Sequence, residues 1–210
     1  MKKVFLLFAG AGLFMTSCVS NPEGEKAETT DAQEVKEAVE ESVTYTLNTE
    51  ESTLRWEARK VSATHHGTVE FKSGEFYVEG SEIAGGRFVT DMSTIVNEDL
   101  EGEWNEKLVG HLMSDDFFSV ENHPETVFEI TGVESTDQAN IYKVSGNLII
   151  KGISKNITFN AEVGEVSDTK LTMNADFNIE RENWDITYAG APDDLIAKEI
   201  NFKVNLVAYL

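Results

Sequence analysis

The chain has 210 residues, of which 38 are acidic and 17 are Lys or Arg, so its formal net charge is -21 at pH 7. This charge repels nucleic acids and anionic lipid surfaces, which argues against a DNA- or RNA-binding protein. The single cysteine excludes an intramolecular disulfide, so the fold must be held together by its core alone.

Residues 1–17 have the pattern of a secretory signal. Two lysines precede the apolar run of residues 4–15, and two small residues separate that run from Cys18. A basic start, a short apolar stretch and a small-residue end are typical of signal peptides. The run is too short to span a bilayer, and no later stretch reaches the roughly 20 apolar residues that spanning requires. We therefore predict an exported protein that is not an integral membrane protein.

The residues around Cys18 resemble the lipobox of bacterial lipoprotein precursors. Ser17 supplies a small side chain before the cysteine, and Met15 stands where the common pattern has Leu. The resemblance implies that the Cys18 thiol is acylated and becomes the first residue of the mature chain. No acidic residue directly follows Cys18, so we expect a lipid-anchored envelope protein that faces the periplasm. A plain signal peptide with a coincidental cysteine is the alternative.

Residues 18–44 are predicted to form an acidic, disordered linker. Between Cys18 and Tyr45 there are eight acidic residues, two lysines and no aromatic residue. Low hydrophobicity with an excess of like charge cannot offset the entropy cost of ordering the chain. As a flexible coil, the linker would let the following domain float clear of the membrane.

Residues 45–210 are predicted to form one all-β domain. Apolar and polar residues alternate with a period of two over 157–163, 171–179 and 200–208, as in strands with one buried face. Turn-forming residues at 72–74, 79–81, 135–137 and 151–152 separate the earlier strands. These are predicted over 53–61, 68–71, 75–78, 86–97, 126–133 and 142–150.

One segment departs from this alternation. Trp104, Leu108 and Leu112 recur at spacings of four within residues 101–113, which predicts a short amphipathic helix. About eight antiparallel strands with one helix, and no alternation of strands and helices, indicate a closed barrel or a sandwich. A barrel of this size has an interior that can hold one small ligand.

Residues 110–128 read GHLMSDDFFSVENHPETVF and resemble a stretch found in the YceI-like family. Residues 144–155 (VSGNLIIKGISK) are similar to a hairpin of that family, and residues 181–186 (RENWDI) to one of its turns. Residues 45–56 look like its opening strand. Many members carry an Arg-His pair where this chain has ATHHG at residues 63–67. We therefore carry over no head-group contact from the family to that region.

The resemblance implies a lipocalin-like antiparallel barrel that encloses a long-chain amphiphile, either polyisoprenoid or fatty-acid-like. Large apolar residues on inward strand faces are candidates for the cavity lining, although such residues are ordinarily core. The predicted ligand-binding residues are Trp56, Phe71, Phe76, Phe88, Phe128, Phe159, Met173 and Phe177.

Other residue patterns leave alternatives open. Phe117 and Phe118 are predicted to form either a plug that attaches the helix to the barrel or a ligand gate. In an extended chain only one of the two side chains can point inward. Arg181 is predicted to form a structural ion pair with a carboxylate, and contact with a polar lipid head is the alternative. The spacing of His65, His66, His111 and His123 matches no dense zinc pattern, so no metal site is predicted.

The sequence contains no G-x-S-x-G elbow, phosphate-binding loop or H-E-x-x-H helix, so we predict a binding protein and not an enzyme. The favoured hypothesis is an envelope-anchored lipoprotein that carries or sequesters a long-chain lipid or isoprenoid and needs no cofactor. The alternative is a structural or interaction lipoprotein whose barrel is filled by its own side chains. Homodimer formation is left open.

Overall fold

The computed structural model describes residues 19–35 and 42–210. This part of the chain contains twelve strands, one α-helix (α1, Gly102–Met113) and a short 3-10 helix (Arg181–Trp184). The strands in chain order are β1 (Glu25–Lys26), β2 (Glu28–Asp31), β3 (Val43–Leu47), β4 (Thr53–Lys60), β5 (Thr64–Glu79), β6 (Glu82–Asn97), β7 (Glu125–Ser135), β8 (Ile141–Ile150), β9 (Ile153–Val166), β10 (Lys170–Glu180), β11 (Gly190–Ala191) and β12 (Asp194–Tyr209).

The strands form a closed antiparallel barrel with eight strand positions, as predicted. Strands β5 to β9 pair consecutively, β9 pairs with β10, and β10 pairs with β12. β3 and β4 share one position, because each pairs with both β12 and β5. β11 forms a short hairpin with the start of β12. Closure removes most of the open strand edges that a flat sheet would expose.

β5 differs from its sequence prediction. Residues 72–74 were predicted as a turn between two strands, but β5 continues through them as one strand of 16 residues. Its pairing with β6 shifts register between Phe71 and Ser73, where a bulge absorbs the irregular residues. A bulge bends a strand and keeps it in the sheet, so the turn-forming residues here mark a bend and not a reversal.

α1 confirms the predicted helix and lies with the following loop at one end of the barrel, here called the upper end. Leu112 is buried in the core, whereas Trp104 is 70% exposed, so Trp104 does not belong to the buried face that its spacing suggested. Phe117 and Phe118 are both buried in a hydrogen-bonded turn after the helix. The expectation that only one could point inward assumed an extended chain and was wrong.

The predicted disorder of residues 18–44 is wrong for the segment of residues 21–33, here called the N-terminal strap. β9 and β10 pair with each other only at their lower ends and diverge towards the upper end. The strap fills the resulting gap: β1 pairs in parallel with β10, and β2 pairs antiparallel with β9. Between β1 and β2, Ala27 packs into the core with 3% exposure.

The strap also covers four asparagines on the outer face of the barrel. Asn201 and Asn178 lie on one side of the gap, Asn156 and Asn147 lie on the other, and all four are at most 5% exposed. Asn178 donates a hydrogen bond of 3.0 Å to the Pro22 carbonyl. Asn147 exchanges hydrogen bonds with the backbone of Gln33, receiving one from its N–H and donating one to its carbonyl. These side-chain amides form hydrogen bonds that replace those to water, which the strap excludes.

Ion pairs fix both edges of the strap. Lys26 binds Glu180 and lies 3.7 Å from Glu199, while Asp31 lies 2.9 Å from Lys155 of β9. The hydrogen bond from Lys26 holds the pKa of the Glu180 carboxyl below its usual range. The charges that favoured disorder in the sequence therefore have partners on distant strands.

The predicted signal segment and Cys18 lie outside the described residues, as do residues 36–41 of the predicted linker. Among the helices of residues 19–35 and 42–210, none is long and apolar enough to cross a membrane.

Candidate functional site: an apolar cavity in the barrel

Inward-facing side chains surround a cavity between two groups of buried apolar residues. The upper group includes residues of α1 and its following loop, and the lower group consists mostly of strand residues. The volume of this cavity is about 150 Å³. A cavity needs about 10–15 Å³ to hold a single water, so this cavity is several times larger than that minimum.

Seven of the eight predicted ligand-binding residues line this cavity. They come from six strands and meet only because the sheet closes on itself: Trp56, Phe71, Phe88, Phe128, Phe159, Met173 and Phe177. Phe76 is the exception. Its side chain is fully buried in the lower core and packs edge-on against Phe88, with ring centroids 4.8 Å apart. Phe76 faces inward as predicted, but it supports the cavity wall and does not line it.

A row of aromatic rings crosses one wall of the cavity. Phe159 stacks on Phe177 with centroids 4.0 Å apart and an interplanar angle of 10°. Phe128 extends the row at 5.7 Å from Phe159, and Phe202 extends it at 6.1 Å from Phe177. Phe128, Phe159 and Phe202 are only partly buried although their strand positions face inward. Their accessible surface therefore includes cavity wall, which is suited to contact with an apolar ligand.

Gly146 of β8 makes room for one end of this row. A Cβ atom at this position would lie 2.3 Å from Cζ of Phe128 and 2.8 Å from the carbonyl oxygen of Glu129. Both distances are below van der Waals contact, so the missing side chain lets Phe128 lie against the sheet.

The residues that close the upper end were not among the eight predicted ligand-binding residues, although the sequence singled out Phe117 and Phe118 as a plug or a gate. Leu112, Phe117 and Phe118 line the cavity from α1 and its following loop. The remaining strand contributors follow the same inward alternation as the predicted ones and could have been found by extending it to smaller residues. These contributors are Leu54, Ala58, Val69, Thr90, Met92, Ile95, Thr126, Ile130, Val144, Leu148, Ile150, Ile157, Ala175, Ile196, Ile200, Val204 and Leu206.

Arg181 also lines the cavity, from the 3-10 helix at the end of β10. Its Nε atom donates a 3.0 Å hydrogen bond to the Ala197 carbonyl, and its Nη1 atom donates to the Ile186 carbonyl. The ion pair predicted for Arg181 is absent among residues 19–35 and 42–210. Burial lowers the pKa of the Arg181 guanidinium.

The neighbouring Trp184 fixes this turn to the sheet. Trp184 is fully buried, and its indole Nε1 donates a 3.0 Å hydrogen bond to the Leu148 carbonyl of β8. Asp185 then adopts a left-handed conformation, with φ of 55°, and reverses the chain. The turn therefore holds the Arg181 side chain at the upper end of the cavity.

The histidines lie away from the cavity lining. His65 Nδ1 is 2.8 Å from Asp99 Oδ2, and His111 Nε2 is 3.0 Å from Asp116 Oδ2. The Nδ1 atom of His66 lies 3.9 Å from Asp99 Oδ1, so the Asp99 carboxylate contacts two imidazoles. Within the described part of the chain, no group of three or more His, Cys, Asp or Glu side chains is placed to hold a metal ion.

Comparison with known proteins identifies the domain. Residues 45–208 match the model of the YceI-like domain. The chain belongs to the YceI-like family. A curated relative in this comparison is a UPF0312 protein of Azotobacter vinelandii, which is 35% identical over 85 residues covering 34% of this chain. The chain spans 43% of the length of that relative.

Two solved structures have the same fold as this YceI-like chain. BcnA of Burkholderia cenocepacia superposes with a TM-score of 0.64 at 18% identity, over 77% of this chain and 99% of its own. A polyisoprenoid binding domain from Saccharophagus degradans, implicated in plant cell wall breakdown, gives a TM-score of 0.59 at 14% identity, over 79% and 97%. At these identities the likeness concerns the fold.

Proposed function

We propose that this YceI-like chain binds a long-chain amphiphile, polyisoprenoid or fatty-acid-like, inside its barrel. The observation that carries the proposal is the cavity of about 150 Å³ whose lining is apolar apart from Thr90, Thr126 and Arg181. Each methylene removed from water contributes about 0.8 kcal/mol, so a chain of roughly ten carbons offsets the cost of its immobilisation. The polyisoprenoid-binding domain among its structural neighbours is consistent with this ligand class.

Flexible side chains in the lining suit a ligand of irregular shape. Met92 and Met173 line the cavity, and an unbranched thioether adapts to its partner at low cost. No part of the proposal requires catalysis. The alternative of a barrel filled by its own side chains is less consistent with partly buried, inward-facing phenylalanines.

Binding is tested with a neutral apolar fluorophore, N-phenyl-1-naphthylamine, and by mass spectrometry of organic extracts of the purified protein. Ala175 lines the cavity, so Ala175→Phe should fill it and abolish the fluorescence increase while the fold is kept. Asn174→Phe on the exposed face of the same strand is the matched control and should bind as wild type. The proposal fails if wild type takes up neither fluorophore nor any stoichiometric lipid.

We further propose that the protein is lipid-anchored through Cys18 in the cell envelope and faces the periplasm, where it carries or sequesters its ligand. Only Val19 and Ser20 separate Cys18 from the strap, and the Asn21 carbonyl accepts a 3.4 Å hydrogen bond from Arg59. A lipid on Cys18 would thus hold the barrel close to the membrane instead of letting it float clear. The ligand would then pass between the barrel and the bilayer over a short distance.

The anchor is tested by expressing wild type and Cys18→Ser precursors and separating soluble from membrane fractions. Wild type should enter the membrane fraction and incorporate radiolabelled palmitate, whereas the variant should do neither. Equal membrane association of the two proteins would contradict the anchor and leave the binding proposal intact. The sequence left homodimer formation open, and light scattering of the purified protein would decide it.

A further inference from the structure

Arg181 is the only charged side chain that lines the cavity within the described residues. It is 1% exposed and lies among apolar side chains at the upper end of the barrel. Moving a charge from water into such surroundings is costly unless a partner of opposite charge or a full set of hydrogen bonds is present. The partners of Arg181 therefore decide what this residue does.

The hydrogen bonds of Arg181 use part of its donor capacity. A guanidinium carries five N–H donors in a planar fork. Nε and Nη1 donate to the carbonyls of Ala197 and Ile186, while Nη2 has no acceptor in the part of the chain that the structure describes. These two carbonyls hold the plane of the guanidinium in place.

The positive charge of Arg181 also has no ion-pair partner among the described residues, although the neighbouring Glu182 acts on it at longer range. Among residues 19–35 and 42–210, no carboxylate oxygen lies within 4.0 Å of its guanidinium nitrogens. The adjacent Glu182 is paired instead with Lys198, at 2.8 Å. An oriented, buried cation without a direct ion pair, on the wall of an apolar cavity, is suited to contact with a negatively charged group.

We propose that Arg181 binds the oxyanion head of the amphiphile, a carboxylate or a phosphate, while the apolar chain occupies the rest of the cavity. The inference rests on the proposed function and adds the chemical class of the ligand head. It places the head under α1 and its loop and directs the chain along the aromatic row towards the lower end. A charge-assisted contact of this kind selects among ligands of equal chain length.

The experiment compares ligands that share an apolar chain and carry either an anionic or a neutral head. Decanoate is paired with methyl decanoate, and geranyl phosphate with geraniol, each displacing N-phenyl-1-naphthylamine from wild type. At least one anionic member should bind about tenfold more tightly than its neutral partner, the gain expected from one charge-assisted hydrogen bond. The carboxylate pair and the phosphate pair report separately which oxyanion is preferred.

Arg181→Met tests the residue itself, because it keeps an unbranched apolar stem and removes the charge. The variant should lose the preference for the anionic ligand, so that the charged and neutral members of each pair bind it with similar affinity. Arg181→Lys retains the charge without the planar fork and should keep part of the preference. If Arg181→Met does not fold, the comparison of anionic and neutral ligands on wild type still tests the proposal.

The outcomes separate the two proposals. Equal binding of charged and neutral ligands to wild type would overturn the role of Arg181 and leave the lipid-binding function standing. Retention of the full preference by Arg181→Met would also overturn it. Failure of wild type to bind the fluorophore and all four ligands would overturn the binding function, and the inference with it.

Discussion

Asn178 of β10 donates a 3.0 Å hydrogen bond to the carbonyl of Pro22, a residue 156 positions away in the chain. Asn178 is 1% exposed, faces outward from the barrel and also donates to Glu199 at 3.0 Å. The contact attaches the N-terminal strap to the barrel wall. An outward-facing asparagine is ordinarily a solvent-exposed residue, so its burial here depends on the strap.

Replacing Asn178 should destabilise the protein through this contact. Asn178→Ala would leave the Pro22 carbonyl without its buried donor, which costs about 1–3 kcal/mol, and would remove one of the three acceptors of the Asn201 side-chain amide. Urea denaturation should show a lower midpoint. Asn174→Ala on the same strand removes one exposed hydrogen bond, with Asn205, and should change stability by less than about 0.5 kcal/mol. An equal loss of stability in the two variants would mean that the contact between Asn178 and the strap does not stabilise the fold.

Ala27 should be essential for docking of the strap. Because Ala27 is 3% exposed between β9 and β10, Ala27→Gln would bury an amide without a partner, at a cost of about 1–3 kcal/mol. The strap should detach and become sensitive to Glu-C protease at Glu23 and Glu25, as read by mass spectrometry. The exposed neighbour provides the matched control, since Glu28→Gln should stay resistant. Resistance of both variants would contradict a docked strap.

Gly146 should be required for the shape of the cavity. Gly146→Ala places a Cβ 2.3 Å from Phe128 and must push that ring inward, with an overpacking cost of about 1–3 kcal/mol and weaker fluorophore binding. Thermal unfolding and a fluorophore titration measure the two effects. Gly132 of β7 has open space where a Cβ would lie, so Gly132→Ala should behave as wild type in both assays. A tolerated alanine at residue 146 would show that Phe128 moves freely.

Asp194 should make stability depend on acidic pH. Hydrogen bonds from Lys60 and Ser62 lower the pKa of Asp194 to about 2 from its ordinary value of 3.8. A carboxyl whose pKa is lower in the folded state stabilises the fold above pH 3.8, and this contribution is lost as pH falls towards 2. Asp194→Asn should therefore be less stable than wild type at pH 7, with a gap that closes near pH 2.

Urea midpoints at several pH values measure that gap. Asp137→Asn is the control, because Asp137 is exposed and its carboxylate has no hydrogen bond or ion pair to the residues described here. Its midpoint should follow that of wild type at every pH. A gap for Asp194→Asn that stays constant down to pH 2 would contradict the role assigned to the hydrogen bonds from Lys60 and Ser62.

Local patterns predicted the barrel because strands bury alternate residues. The period-two alternation of β9, β10 and β12 identified inward positions, and seven of the eight cavity candidates followed from it. Lys151 and Gly152 predicted the turn between β8 and β9, and both have positive φ, as a two-residue hairpin requires. These features depend on neighbours within a few residues, so the sequence itself contains them.

Other features depended on residues far apart in the chain. Alternation alone could not tell Phe76, which supports the cavity wall, from Phe88, which lines it, because that depends on the depth of each ring in the closed barrel. The acidic composition around Lys26 and Asp31 predicted disorder, yet Glu180 and Lys155 offer them partners on distant strands. Arg181 has no direct ion pair among the described residues, and the neighbouring Glu182 pairs with Lys198.

The sequence by itself determined which residues form strands, which of their faces turn inward and where the helix lies, because these follow from side-chain periodicity. Tertiary structure decided which inward residues leave space between them, that residues 21–33 complete the wall, and that the Arg181 guanidinium lies in an apolar cavity. The physical reason is that packing, burial and charge pairing are set by contacts between distant segments, and these exist only after the sheet has closed.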